Sequence, residues 1–278
     1  MTIGEWLSRA QEALEASGSP DPAPDAEWIL LWALDISRVQ MHLRAAQPLL
    51  GQELEKAQRA LEMRKKGAPL QYILGEAWFY GRKFKSDARA LIPRQDTEIL
   101  CETAINHILP GKRDVLDLCT GSGIIGITVA LERPMCAVTA TDLSPEALSL
   151  ARENAENLGA DVRFLQGDLF EAVGEDKFDA ILSNPPYLTG GEMLQLQREV
   201  REEPEMALFG GEDGLEFYRR IAEGAKRHLK PHGCVILEIG CAQAGAVSEL
   251  FAKAMPGAKI GVEKDLQGLD RVVWAHIS

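Results

Sequence analysis

No stretch of the 278-residue chain is apolar for long enough to cross a bilayer. The longest uninterrupted run, Trp28 to Leu34, falls far short of the roughly 20 residues a spanning helix needs. The first helix-like stretch carries Glu5, Arg9, Glu12 and Glu15, so it does not read as a signal peptide. There is no Cys-x-x-Cys pair. Cys101, Cys119, Cys136, Cys234 and Cys241 are scattered, as reduced thiols in a cytoplasmic protein would be. His228 and His232 stand four apart with Pro231 between them, which denies them a shared helix face, and no metal site is expected. No Ser/His/Asp or Cys/His nucleophile pair, internal repeat or low-complexity segment is present. A basic excess is missing too. The net charge is −12, whereas a protein that grips a phosphate backbone usually carries a basic face. That sign counts against direct nucleic-acid contact and suits a basic protein partner, although acidity also serves solubility alone.

What is present is ordinary globular composition, 46% apolar and 26% charged, in a chain long enough for one large domain or two modest ones. Residues 1 to about 67 read as helices. Leu7, Ala10 and Leu14 recur at helical spacing, as do Ile29, Leu30, Ala33 and Leu34, with Pro20, Pro22 and Pro24 between the two stretches. A further helix stops near Gly67 and Pro69. From Gly75 the pattern changes to Trp78, Tyr80 and Phe84 around Gly81, a short hairpin. Thr97 is expected to cap the helix that follows. After Gly111 strands and helices alternate. Strands are read over Val115–Leu118, Ala137–Thr141, Val162–Gln166, Phe178–Ser183 and Cys234–Ile239, which implies a mostly parallel sheet covered on both faces. Ala258–Val262 and Arg271–His276 are too close for a helical crossover and should pair antiparallel. The expected organisation is a helical domain over 1–74, a hairpin linker over 75–94 and an α/β domain over 95–278.

Asp117-Leu118-Cys119-Thr120-Gly121-Ser122-Gly123 follows a strand and opens a helix. Glycines there permit positive φ and let backbone amides approach a ligand. Asp142 ends the next strand, at the spacing where a carboxylate accepts hydrogen bonds from ribose hydroxyls. The turn therefore reads as a nucleoside-type cofactor site. Gly121 to Gly126 also matches G-x-G-x-x-G literally, so a dinucleotide-dependent oxidoreductase competes at this point. Two features favour a methyltransferase. The antiparallel C-terminal strands resemble the seven-stranded, Rossmann-like sheet of class I methyltransferases. A second loop also opens on the same crevice.

That loop is Asn184-Pro185-Pro186-Tyr187, at the end of the Phe178–Ser183 strand. An amide nitrogen is a poor nucleophile because its lone pair is delocalised. Two fixed acceptors that take both N–H bonds of an NH2 group can aim that lone pair at an electrophile. The Asn184 side-chain oxygen and the Pro185 carbonyl are the candidates. Pro185 precedes a proline and is biased to extended backbone, and Pro186 fixes its own φ, so both acceptors are held before substrate arrives. Tyr187 offers a flat face for a planar amide or base. The residues alone leave a protein glutamine and an adenine amino group both open as targets. Glu238 is either a crevice carboxylate or an exposed strand end, and Asp117 either meets the cofactor or caps the turn.

Asn-Pro-Pro-Tyr with this glycine turn is similar to amino- and amide-nitrogen methyltransferases. Pro69 to Gly75, Phe79-Tyr80-Gly81, Leu91-Ile92-Pro93-Arg94, Thr97-Glu98, Glu203-Pro204, Gly210-Gly211, Asp213-Gly214-Leu215 and Gly268 to Val273 narrow the likeness. Across nearly the whole chain it resembles the HemK/PrmC family. The resemblance implies S-adenosyl-L-methionine as cofactor. It implies as reaction the methylation of the glutamine side-chain amide in the Gly-Gly-Gln motif of class I peptide chain release factors, with a ribosomal-protein glutamine as alternative. It implies cofactor contacts at Cys119, Thr120, Gly121, Ser122, Gly123, Asp142, Leu169 and Asn184, and a catalytic, glutamine-binding site at Asn184, Pro185, Pro186 and Tyr187. The helical domain is expected to recognise the release factor, and the protein is expected to be a monomer. Cys119 stands where many relatives have glycine, so its backbone serves if its φ is negative. Gln95 stands where relatives often have proline, so the start of the next helix should be loosely held.

Overall fold

The computed structural model describes residues 1–277. They form two compact units, one of Met1–Glu76 with Gln197–Glu202, the other of Ala77–Leu196 with the chain from Glu203 onward.

The first unit contains α1 (Ile3–Ala16), α2 (Pro22–Leu34), α3 (Arg38–Leu43), α4 (Gly51–Lys65) and α5 (Leu70–Leu74). Thr2 and Glu5 close a capping box that starts α1. Thr2 Oγ1 accepts from the Glu5 amide at 3.1 Å, and Glu5 Oε2 accepts from the Thr2 amide at 2.8 Å. Ile3, Trp6, Ala10 and Leu14 recur at three- or four-residue steps and pack with Ile29 and Leu30 of α2 and Ala57 and Leu61 of α4. Arg64 is buried beside this core. Its Nε donates to Asp25 at 2.7 Å, and its Nη1 reaches Glu199 at 2.5 Å and the Ala68 carbonyl at 3.1 Å. A buried guanidinium costs several kcal/mol unless paired, and these partners supply the pairing.

In the second unit, β1 (Glu76–Phe79) and β2 (Arg82–Lys85) meet through Tyr80 and Gly81 at φ 48° and 71°, a two-residue turn whose hand matches strand twist. Next come α6 (Thr97–His107), β3 (Arg113–Leu118), α7 (Ile124–Glu132), β4 (Cys136–Asp142), α8 (Pro145–Leu158), β5 (Val162–Gln166), β6 (Phe178–Ser183) and the short α9 (Gly190–Met193). The chain closes with α10 (Glu216–His228), β7 (Leu229–Glu238), α11 (Ala244–Ala254), β8 (Lys259–Lys264) and β9 (Asp270–His276). The seven-stranded sheet has the order β5-β4-β3-β6-β7-β9-β8. β9 pairs antiparallel with both β7 and β8, as the short connection requires, and the other pairings are parallel. This is the α/β class I methyltransferase architecture, accompanied by N-terminal helices.

Side-chain alternation explains the two covered faces. Leu116, Leu118, Ile181, Val235 and Leu237 point into one core with α10 and α11, while Val115, Val138, Ala180, Leu182 and Ile236 point into the other with α6 and α7. Fully burying each of these valine, leucine and isoleucine side chains stabilises by about 1.5–3 kcal/mol. From β3 the chain builds outward through β4 and β5, then returns to lay β6 on the other flank of β3. That reversal opens a crevice at the carboxyl ends of the strands.

Several strand ends shift by one or two residues from the sequence reading, and two boundaries differ in kind. β7 begins at Leu229, not Cys234. Lys230 to Gly233 resemble a turn, yet Leu229 already pairs with Phe178, and the register shift between Phe178 and Ala180 absorbs the irregularity. Thr97 is not the cap of α6. Asp96 holds that position, with no side-chain capping bond, and Thr97 is the first helical residue. Its hydroxyl is engaged elsewhere.

Candidate active site

A cavity of about 740 Å³ lies at the crevice, within the range of small-ligand sites. Cys119 to Ser122 follow β3, Thr141 and Asp142 end β4, Gly167 to Leu169 follow β5, and Asn184 and Pro186 follow β6; all line it. Gly123 stands just outside the wall, where its φ of 86° starts α7 and where Ile127 and Ala151 leave no room for a Cβ.

The turn after β3 is held from three directions. Asp117 is fully buried, and its Oδ2 accepts from Thr120 Oγ1 at 2.5 Å and from the Gly126 amide at 2.9 Å. Of its two sequence readings, the turn-capping one is thus present. Burial pushes its carboxyl up to about 7 despite these donors. The Thr120 amide donates to the Thr141 carbonyl at 3.0 Å. Asp142 Oδ2 accepts from the Gly121 amide at 2.8 Å and Oδ1 from the Ser144 amide at 2.9 Å. Each oxygen keeps acceptor capacity for a hydroxyl. Gly121 has φ 55°, and a Cβ built on it would meet nothing within 4 Å, so the glycine keeps space open in front of the turn.

The condition placed on Cys119, a negative φ, is not met. The residue sits at φ 56°, the conformation glycine adopts without cost, and an L-residue there carries about 1–2 kcal/mol of strain. The strain persists because the turn around it is over-determined by the bonds just described. Burial pushes its thiol well above the ordinary range, so the sulfur is a neutral packing group. Leu169 also has positive φ, 49°, at the cavity wall.

On the β6 side, Ser183 Oγ donates to the Leu118 carbonyl at 2.7 Å and ties the two strand ends together. Asn184 Nδ2 donates to Thr97 Oγ1 at 3.3 Å. No hydrogen bond from a described residue reaches Asn184 Oδ1 or the Pro185 carbonyl. Pro185 and Tyr187 are not part of the cavity wall. The Tyr187 ring packs against the core shared by α10 and β7, burial pushes its phenol up to about 12, and its carbonyl accepts from Gln243 Nε2 at 3.1 Å. Beyond it, Leu188 and Phe209 form a bridge, with Leu188 N donating to the Leu208 carbonyl at 2.9 Å and Gly210 N to the Leu188 carbonyl at 2.8 Å.

One residue that supports the wall from outside it escaped the site reading. Glu203 is buried; its Oε2 accepts from the Ile92 amide at 3.0 Å, and its Oε1 binds Arg94. It thereby joins the Leu91–Arg94 segment to the Pro204–Ala207 segment on the cavity rim. The only signal was that both segments carried the family likeness. Glu238 is 1% exposed, which removes the exposed strand-end alternative.

A family model for the methyltransferase small domain matches residues 95–212, and one for the PrmC N-terminal domain matches residues 5–75. The chain is 42% identical to a release factor glutamine methyltransferase of Bacillus subtilis, over 99% of this chain and 98% of the relative. It is likewise 42% identical to one of Cereibacter sphaeroides over 100% and 99%, and 39% identical to one of Geobacter sulfurreducens over 99% and 97%. Among solved structures, a Pyrococcus furiosus methyltransferase superposes on 71% of this chain and 89% of its own, with a TM-score of 0.55 at 23% identity, a likeness of fold.

Proposed function

The chain belongs to the release factor glutamine methyltransferase family, and from that premise we propose that it methylates the side-chain amide nitrogen of the glutamine in the Gly-Gly-Gln motif of class I peptide chain release factors. The observation that carries the proposal is the pair of unengaged acceptors, Asn184 Oδ1 and the Pro185 carbonyl, at the carboxyl end of β6 beside a nucleoside-sized cavity.

S-adenosyl-L-methionine is the methyl donor, and when bound it supplies a methyl group on an electrophilic sulfonium. The donor and acceptor set fits it. Asp142 takes the ribose hydroxyls, the backbone of Cys119 to Gly123 and Leu169 forms the cradle, and open space in front of Gly121 admits the ligand. Asn184 borders both halves of the site. Its Oδ1 and the Pro185 carbonyl accept the two N–H bonds of the glutamine amide and so aim the nitrogen lone pair. Pro185 and Pro186 keep these acceptors from relaxing, which spares the reaction an orientational cost. Tyr187 anchors the loop in the core. The glycine pattern of Gly121–Gly126 serves this cofactor, not a dinucleotide.

The helical segment 1–74 recognises the release factor in this reading, the hairpin over 75–94 links it onward, and residues 95–278 carry the chemistry. The protein acts as a monomer in the cytoplasm, without direct nucleic-acid contact, and the net charge of −12 supports the last point. No helix among the described residues is long and apolar enough to cross a membrane.

The test is incubation with a release factor and methyl-labelled S-adenosyl-L-methionine, followed by peptide mapping. Label on the Gly-Gly-Gln glutamine is expected. Its absence there, with label on another protein's glutamine or on adenine, overturns the substrate and leaves the chemistry. No methyl transfer, together with nicotinamide binding by calorimetry, overturns both.

A further inference from the structure

We infer that Gln243 is a positioning residue for methyl transfer, whose side-chain amide holds the Asn184–Tyr187 loop in place. The inference rests on the roles proposed for Asn184 and Pro185. Gln243 is the N-cap of α11, just past the end of β7. Its Nε2 donates to the Tyr187 carbonyl and to the Gly214 carbonyl, both at 3.1 Å, and its Oε1 accepts from the Gly240 amide at 2.9 Å. One side chain thus joins the loop after β6, the loop that leads into α10 and the loop after β7. The partners permit a single orientation. Turned over, the amide would set its oxygen against two carbonyls and its NH2 group against an N–H. The Val247 amide donates to the Gln243 carbonyl at 3.0 Å, so the residue is backed by the first turn of a regular helix.

Packing imposes the same arrangement. Gly214 has φ 70°, and a Cβ there would collide with the Tyr187 carbonyl oxygen and stand 2.7 Å from Gln243 Nε2. A Cβ on Gly240 would stand 2.9 Å from Gln243 Oε1 and 3.5 Å from Tyr187 Cδ2. The three loops therefore close on one another with the amide at their junction.

The junction lies where the acceptor loop needs an outside frame. Ser183 Oγ ties the loop's entry to β3 through the Leu118 carbonyl. Past its exit, the bonds of Leu188 run to Leu208 and Gly210, in another irregular segment. Gln243 grips the first segment at Tyr187 and the second at Gly214, and fastens both to α11. Pro186 cannot turn about φ, so a shift at Tyr187 is carried back to the Pro185 carbonyl. Gln243, Gly214 and Gly240 stand outside the cavity wall, as Tyr187 does, so cofactor affinity is spared.

The experiment compares wild type with Gln243→Glu and Gln243→Met in full-length protein. Gln243→Glu keeps the shape and the acceptor for Gly240 but, when ionised, has no donor. Gln243→Met keeps the length and loses all three bonds. Methyl transfer gives kcat and KM for release factor, calorimetry gives cofactor Kd and binding stoichiometry, and amide hydrogen exchange over residues 184–190 reports loop motion. Both variants are expected to lose roughly 10- to 100-fold in kcat, as displacement of a reacting group by about 1 Å does, with KM and cofactor Kd within about threefold and an undiminished stoichiometry. Exchange at Leu188 should quicken. Wild-type kcat or wild-type exchange in Gln243→Glu overturns the inference. A fall in stoichiometry that matches the fall in kcat means that the fold was lost, not the loop's position, and overturns it as well. Wild type that leaves the Gly-Gly-Gln glutamine unlabelled, beside quickened exchange in the variants, refutes the reading of the site and leaves the anchor standing. Label in wild type beside unchanged variants refutes only the anchor.

Discussion

The amide of Gly121 donates to Asp142 Oδ2 at 2.8 Å, so the glycine turn after β3 and the acid that ends β4 are one mechanical unit. The carboxylate that would hold ribose hydroxyls also shapes the loop that would cradle the rest of the nucleoside. Its other oxygen fixes the entry to α8 through the Ser144 amide.

Replacement of Asp142 should therefore weaken cofactor binding by more than one contact. Asp142→Ala loses the hydroxyl acceptor and releases the Gly121 amide. Each charge-assisted bond is worth about 1.5–3 kcal/mol, so a rise in cofactor Kd of roughly 10- to 150-fold or more is expected, with a smaller rise for Asp142→Asn. Calorimetric titration with S-adenosyl-L-methionine measures both, and equal affinities would remove Asp142 from the cofactor site.

Asn184→Ala removes one of the two acceptors and should lower turnover by roughly 5- to 150-fold while cofactor binding survives in part. Single-turnover methyl transfer alongside calorimetry separates the two effects.

Gly210 guards the same loop from behind. A Cβ there would stand 2.6 Å from the Pro186 carbonyl oxygen and 2.6 Å from Tyr187 Cα, both backbone atoms that cannot step aside. Gly210→Ala should displace Asn184 and Pro185 together and reduce kcat by on the order of 10²-fold, as misplacement by about 1 Å does. Cofactor Kd should change little. Unaltered kcat would mean that the loop's position is not what sets the rate.

Arg64→Ala in the helical unit leaves the Asp25 and Glu199 carboxylates without their shared cation. Removing one partner of a buried pair costs about 3–5 kcal/mol, and denaturant unfolding should show a loss of that order. A loss below about 1 kcal/mol, the ceiling for exposed pairs, would mean that the cluster is open to water.

Asp117 gives the pH dependence of stability a definite sign. Its folded-state pKa, about 7, lies above the ordinary carboxylate value of 3.8, so the folded protein keeps a proton that the unfolded chain has already lost. Stability attributable to this group is complete below about pH 4 and falls as pH rises to about 7, by about 1 kcal/mol per pH unit. Glu238 adds a loss of the same sign. Urea titrations of wild type and Asp117→Asn at pH 5 and pH 8 should show a smaller pH difference in the variant. An equal difference would sink the assignment.

What the sequence disclosed depended on whether a residue's meaning is local. The glycine turn, the Asn-Pro-Pro-Tyr loop and the paired C-terminal strands were legible because glycine, proline and alternation constrain the backbone where they stand. Thr97 was misread as a helix cap because a threonine before a helical stretch ordinarily caps. Its hydrogen-bond partner, Asn184, is distant in sequence, and only the fold brings the end of β6 beside α6. Glu203 went unrecognised for the same reason, since its bonds to Ile92 and Arg94 close over more than a hundred residues. For Cys119 the sequence set only a condition, a negative φ, which residue type alone could not decide and which the observed φ of 56° does not meet.

That cysteine gives the molecule a built-in gauge. Cys119 lines the cavity and its neutral thiol should react slowly with alkylating reagents, whereas Cys241 is exposed and serves as an internal standard. The ratio of the Cys119 to the Cys241 labelling rate should fall as the cavity fills with ligand.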